Sequence, residues 1–368
     1  MTLLLADFAS VMTKIGYVLL ALLALVVMVL IHEAGHYTAG KILKFKINEF
    51  GIGFGPPFVK VKRKNGELFT IRPIPLGGFC AFEGEDQDRD QSVEGAFNNQ
   101  KPWKRIIVLL AGVTFNFLSA IIILSITFGS YGYALPKVVE ARSDCVEGYE
   151  QTFMKDDVII ELNGKNVYSM ASYNISSILA DVEGDETTAL VYRNGKRVEI
   201  KVNIGTFKQT DEEGNESTYR GLGIQSQSTL FRLNFFECIG YSFVFIFQLM
   251  VMTFQTIGSI FTGAISVAGN IGGPITTIKT MSDTIQASGF YGVMMIFGIV
   301  SSSLAIMNAL PIPALDGSRV IFTIIEWIRK KPLKRKTEAI IHTVGLIILF
   351  GLTIVFDIIN VVGMFKLG

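Results

Sequence analysis

Four stretches of this chain are too long and too apolar to be anything but helices buried in protein or lipid. Ile15 to Gly40 lies between Lys14 and Lys41, and its only ionisable residues are His32, Glu33 and His36. Ile106 to Phe128 follows Arg105 and carries no charge, and Gly289 to Leu315 carries none either. Ile340 to Phe356 contains only His342. A bilayer span needs about 20 mostly apolar residues, so each stretch predicts a membrane-spanning helix. The whole chain agrees: half of its 368 residues are hydrophobic and 18% are charged, where soluble domains carry roughly a quarter. The first stretch is too long for a cleaved signal and runs without a cleavage-like site into His32-Glu33-Ala34-Gly35-His36.

A fifth stretch, uncharged between Glu237 and Lys279, reads as a span by hydropathy alone. Charge asymmetry argues otherwise. The segment after the first span holds Lys41, Lys44, Lys46, Lys60, Lys62, Arg63, Lys64, Lys101, Lys104 and Arg105, and the segment after Leu315 holds Arg319, Arg329, Lys330, Lys331, Lys334, Arg335 and Lys336. The positive-inside rule places both in the cytoplasm. The chain must then cross an even number of times between them, and 106–128 with 289–315 already supplies two crossings. Residues 233–278 are therefore expected to lie on, or dip into, the outer leaflet as helices. Four spans result, with about 130–285 outside.

Part of that outer region looks globular. Val158 to Leu162 leads into Asn163-Gly164, Leu190 to Tyr192 leads into Asn194-Gly195, and Val198 to Val202 alternates. Tyr173 to Ala180 reads as a short helix, and the acidic stretch Thr206 to Tyr219 as a flexible loop. The order of strand, turn, helix and hairpin resembles a PDZ domain, which binds an extended chain along a sheet edge. A β-rich spacer without a ligand is the alternative.

The chemistry is carried by His32, Glu33 and His36. At helical spacing the two imidazoles share one face and can hold one zinc ion, with Glu33 placed to take a proton from a zinc-activated water. Such residues at the end of an apolar span are costly to bury without a partner. A catalytic zinc usually takes three protein ligands. Asp316, in Asn308-Ala-Leu-Pro311-Ile-Pro313-Ala-Leu315-Asp316-Gly317, is the best third candidate, because the two prolines should break the helix and turn the aspartate inward. Asp316 also reads as a helix cap. His342 has a weaker claim and reads better as a packing residue. The three cysteines, Cys80, Cys145 and Cys238, are odd in number, far apart and without a CxxC pair, which argues against a disulfide framework and a cysteine-based zinc site.

His32 to His36 in a first span, Asn308 to Gly317 in a late one, and a PDZ-like outer domain together resemble the site-2 protease family, closest to its bacterial regulator of sigma-E protease branch. Phe50 to Pro56, Ile74 to Phe79, Ala111 to Phe117 and Gly272-Gly273-Pro274 match as well, so the resemblance covers nearly the whole chain. Ser318 stands where the family often has a second glycine, and there is room for one PDZ domain rather than a tandem pair. The resemblance implies a zinc-dependent intramembrane endopeptidase in a bacterial plasma membrane. One zinc per chain would be held by His32, His36 and Asp316 near the cytoplasmic side, Glu33 would activate water, and Asn308 would hydrogen-bond substrate or the developing oxyanion. It also implies a membrane-dipping β-loop at about 45–80 and substrates that are single-span membrane proteins or signal-peptide remnants. No nucleic-acid partner is expected.

The expected fold is a polytopic α-helical membrane protein with four transmembrane helices, that β-loop and one extracytoplasmic PDZ-like α+β domain. Its segments are 1–40 (first span), 41–104 (β-loop region), 105–130 (second span), 137–225 (PDZ-like domain), 230–285 (membrane-surface helices), 286–316 (third span), 317–338 (basic loop) and 339–362 (fourth span). A PDZ scaffold without activity and a transporter are the competing readings. A transporter predicts internal repeats, and none is seen.

Overall fold

The computed structural model describes residues 2–85, 93–141, 152–167, 175–210, 216–262, 272–331 and 335–366. The chain forms two compact units, one of Met1–Thr127 with Ile239–Gly368 and one of Phe128–Cys238.

The first unit is built on long helices: α1 (Thr2–Ile42), α2 (Pro102–Tyr131), α4 (Phe235–Thr262), α5 (Pro274–Ala309), α6 (Asp316–Arg329) and α7 (Arg335–Lys366), where α3 belongs to the other unit. Apolar residues on every side leave a helix as the way to satisfy the backbone inside lipid. All but α6 are long and apolar enough to cross a membrane, five among the described residues. The four helices expected from sequence are among them. The fifth is α4, one continuous helix of 28 residues. It starts alongside the far end of α2, with Ser242 hydrogen-bonded to Ser125 at 3.1 Å.

Helix α5 begins well before residue 286, the expected start of the third span. It is two limbs meeting at Gly289, whose φ of 57° and ψ of −137° suit glycine alone. The bend is sharp. A Cβ on Gly292 would lie 2.7 Å from the carbonyl oxygen of Thr284, eight residues back, and a straight helix would hold those residues about 12 Å apart. Met281 and Ile285 from one limb and Ile296 from the other pack in one cluster with Ala21 and Ala24 of α1. The second limb, 290–309, has the length of about 30 Å that one crossing needs. The expected span at 289–315 therefore corresponds to this limb and the turn after it.

Between α1 and α2 lies a sheet in the order β2-β3-β1-β4, made of β1 (Ile47–Phe54), β2 (Val59–Lys62), β3 (Leu68–Ile71) and β4 (Ile74–Phe82). β1 runs parallel to β3 and antiparallel to β4, so β4 is an edge strand. Glu49 bridges to Arg72 at 2.7 Å. Burial raises the Glu49 carboxyl, and hydrogen bonds from Thr70 and Arg72 outweigh it, leaving it below its ordinary value.

An ion pair between α2 and α6 is almost fully buried, with Arg105 Nη1 2.6 Å from Glu326 Oε2 and both side chains 2% exposed. Breaking such a pair from one side leaves an uncompensated charge in an apolar interior. Glu326→Ala is therefore expected to destabilise the protein by about 3–5 kcal/mol, read as a lowered Tm in detergent. Arg105→Met with Glu326→Leu should recover most of the loss, and a harmless Glu326→Ala would contradict this account.

The second unit carries β5 (Tyr133–Ala141), β6 (Val158–Leu162), β7 (Lys165–Asn166), α3 (Ile175–Ala180), β8 (Glu186–Arg193), β9 (Lys196–Asn203), β10 (Gly205–Thr210), β11 (Glu216–Gly221) and β12 (Ile224–Phe231). The main sheet runs β12-β5-β6-β8-β9, with β7 paired to β6. Its core includes Val138, Ile159, Leu162, Ile178, Leu179 and Val191. Both Asn-Gly turns adopt positive φ at both residues, 51° and 67° at Asn163 and Gly164 and 50° and 79° at Asn194 and Gly195, as tight hairpins require. The expected helix is present from Ile175; its first residues, 173 and 174, lie outside the described residues, as does Cys145. The expected loop at 206–219 is instead a hairpin of β10 and β11, paired from Gly205↔Gly221 to Thr210↔Glu216. Its Thr206, Phe207, Thr210, Thr218 and Tyr219 are strand-favouring residues that the acidic composition obscured.

Candidate metal and catalytic site

The last turns of α1 carry His32, Glu33 and His36, and α2 packs directly against them. Close packing is possible because Gly35 has no side chain: a Cβ there would lie 2.4 Å from the carbonyl oxygen of Ala111. The residues of α2 that face the histidines are spaced by four, Val108, Gly112 and Asn116, and so share one helix face. Val108 offers its carbonyl, 2.8 Å from His36 Nδ1. Gly112 offers space, since a Cβ there would lie 2.5 Å from His36 Nε2 and 2.8 Å from His32 Nε2. Asn116 offers its amide, whose Nδ2 is 3.4 Å from His32 Nδ1.

Asp316 arrives from the opposite side. α5 ends at Ala309, the segment with Pro311 and Pro313 turns, and α6 begins at Asp316 itself. The turn is held where Ala314, at φ 81°, donates its N–H to Nδ1 of His342 on α7 at 2.9 Å. Ser318, in the place of the family's second glycine, donates its hydroxyl to the Leu315 carbonyl at 2.7 Å, so that departure leaves the turn intact. Asp316 both opens a helix and faces the histidines. Its Oδ2 lies 2.9 Å from His32 Nε2 and 3.2 Å from His36 Nε2, and the two Nε2 atoms are 3.1 Å apart.

These residues fit a zinc ion. Zinc bonds to nitrogen and oxygen are about 2.0–2.1 Å, which puts tetrahedral ligand atoms about 3.3 Å apart, close to the separations found. Two imidazoles and one carboxylate also match the three-ligand set that leaves a fourth position open. Among the described residues His32, His36 and Asp316 form a cluster able to hold a metal.

The three ligands and Glu33 line a cavity of about 670 Å³ that Asn308, Cys80 and Arg319 also border. Glu33 is oriented by β4, whose Cys80 backbone N–H donates to its carboxylate. Burial pushes the Cys80 thiol up. Arg319 pairs with Glu85 at 2.5 Å on the same wall.

Every site residue expected from sequence thus borders one cavity. His342, read as a packing residue, accepts the Ala314 N–H in the turn before Asp316. The residues not anticipated are Val108, Gly112 and Asn116. A signal existed: an asparagine and a glycine four residues apart in an otherwise apolar span call for a partner helix.

A helical membrane framework with an HExxH pair and a distant aspartate at one point defines a metallopeptidase class of site. The model of peptidase family M50 matches residues 20–352. A Fusobacterium nucleatum protein is 30% identical over 95% of this chain and 99% of its own length. One from Clostridium perfringens is 30% identical over 94% and 98%, and one from Agrobacterium fabrum 27% identical over 92% and 94%. All three bear the name "Putative zinc metalloprotease". The chain belongs to peptidase family M50.

Proposed function

We propose that the chain is a zinc-dependent intramembrane endopeptidase that cuts a peptide bond in or near the spanning segment of another membrane protein. The observation that carries this reading is the convergence of His32 Nε2, His36 Nε2 and Asp316 Oδ2 within 3.2 Å, with Glu33 on the same cavity wall. Zinc held there would lower the pKa of a coordinated water to about 7 and polarise a carbonyl. Glu33 would accept and return the proton, held by the Cys80 N–H. Asn308 would donate to the substrate carbonyl as charge develops. A helical substrate hides its peptide bonds in its own hydrogen bonds and must unwind first. β4 is an edge strand beside Glu33 and offers the unwound segment a ladder to join.

Substrates of this kind are single-span proteins, anti-sigma factors among them, or signal-peptide remnants. The basic segments favour a zinc site at the cytoplasmic side of a bacterial plasma membrane, and a PDZ-like unit outside it would screen extended chains. Four crossings remain the preferred count. The bend at Gly289 turns α5 back on itself, and a first limb that returned along the path of α4 would make the two a re-entrant excursion and leave the crossing parity even. A scaffold or a transporter would need neither Glu33 nor a converged ligand set.

The test is purified protein in detergent, assayed for zinc content and for cleavage of a single-span reporter. Wild type is expected to bind about one zinc and to lose cleavage on chelation. Asp316→Ala is expected to lose the metal and the activity together. A wild type that cuts equally well with zinc stripped away would overturn the reading.

A further inference from the structure

We propose that Asn116 is the positioning residue for His32: its side-chain oxygen accepts the Nδ1 proton and commits the ring to the tautomer whose Nε2 faces the metal. The proposal rests on the zinc reading above.

A neutral imidazole carries one proton. A ring that binds metal through Nε2 carries it on Nδ1, and that proton needs an acceptor. For His36 the acceptor is the Val108 carbonyl. For His32, the amide of Asn116 faces Nδ1. Asn116 is fully buried, at 0% exposure, and its Oδ1 has no hydrogen-bond partner. An unpaired amide oxygen inside a membrane helix is costly. A half-turn of the amide about its Cβ–Cγ bond, which exchanges oxygen and nitrogen at almost the same positions, faces the oxygen to His32 Nδ1–H and leaves the amide nitrogen where the oxygen had been. The oxygen gains a donor, and His32 Nδ1–H gains an acceptor.

The position suits the role. Val108 and Asn116 lie one turn either side of Gly112, so one face of α2 holds both histidines from behind. The Asn116 backbone is fixed independently of its side chain. Its carbonyl accepts hydroxyl hydrogen bonds from Ser301 of α5 at 2.8 Å and from Ser119 at 3.0 Å. Changing the side chain leaves these two contacts in place.

The test is zinc affinity in detergent, by competition with a chromophoric chelator, for wild type, Asn116→Leu and Asn116→Asp, with the melting temperature of each metal-free protein. Leucine keeps the bulk and removes the acceptor, so its affinity is expected to fall about 10- to 100-fold while the metal-free melting temperature holds. Aspartate restores an acceptor and is expected to bind zinc at least as tightly as wild type, a rescue that a purely packing role would not give. If leucine binds zinc like wild type, or aspartate loses as much as leucine, the proposal is wrong. Should the leucine protein not fold, the aspartate protein decides alone: retained affinity supports the role and lost affinity overturns it. A wild type that binds no zinc removes the metal reading itself, and this proposal with it. A wild type and two variants that bind alike remove only the role of Asn116.

Discussion

Glu33→Gln should slow peptide cleavage by about 10²- to 10⁴-fold, the range expected when a positioned acid–base group is removed, and should leave zinc affinity close to that of wild type. Glutamine has the same shape and keeps an oxygen for the Cys80 N–H, so β4 stays docked. It cannot take up a proton. Glu33 is also not one of the converging ligands, which are His32, His36 and Asp316. Rate and metal content therefore separate in this variant, whereas Asp316→Ala loses both. A Glu33→Gln protein that still cuts at the wild-type rate would show that the proton passes elsewhere. One that also loses zinc would make Glu33 a structural residue.

The second large effect is expected at a position with no reactive atom. Gly112→Ala places a methyl group 2.5 Å from His36 Nε2, 2.7 Å from His32 Cε1 and 2.8 Å from His32 Nε2. No real Cβ sits so close to a ring, and the obstructed atoms are the ligand nitrogens themselves. Either α2 moves away, which breaks the Val108 and Asn116 contacts, or the imidazoles turn out of the convergent arrangement. A displacement of about 1 Å at such a centre costs on the order of 100-fold in rate, so cleavage is expected to slow by about that factor and zinc affinity to fall with it. Gly351→Ala is the control, since nothing lies within 4 Å of its added Cβ and alanine is the better helix former. Zinc titration of the two proteins side by side decides it. A Gly112→Ala protein with undiminished affinity would mean that the helices separate more easily than their packing implies.

What the sequence disclosed follows physical range. The four spans and both Asn-Gly turns are local signals, set by a run of apolar residues or by two adjacent residues that tolerate positive φ. The two histidines also come from local spacing on one helix. Asp316 is 284 residues from His32 and was found because prolines break helices and a catalytic metal wants a third ligand. Asn116, Gly112 and the Val108 carbonyl escaped because their roles exist only when a second helix is laid against the first. A backbone carbonyl has no residue signature at all. The β10–β11 hairpin escaped for another reason: its acidic composition outweighed its strand-favouring Thr, Phe and Tyr residues. The bend at Gly289 escaped because one glycine in an apolar run looks the same whether the helix passes straight through it or folds back.

That bend gains significance from α7. Asp357 of α7 accepts hydrogen bonds from the N–H groups of Ile275 at 2.9 Å and Thr276 at 3.1 Å, at the start of α5, and His342 holds Ala314 beyond its end. The two points on α7 are fifteen residues apart, or about 22 Å along a helix. The limbs of α5 thus form two sides of a triangle and α7 the third, with Gly289 at the apex. A hinge alone would leave the angle between the limbs free. A triangle with all its sides fixed has no such freedom, so the height at which Asp316 meets the histidines is set by a frame whose farthest joint, at Asp357, lies nowhere near the metal.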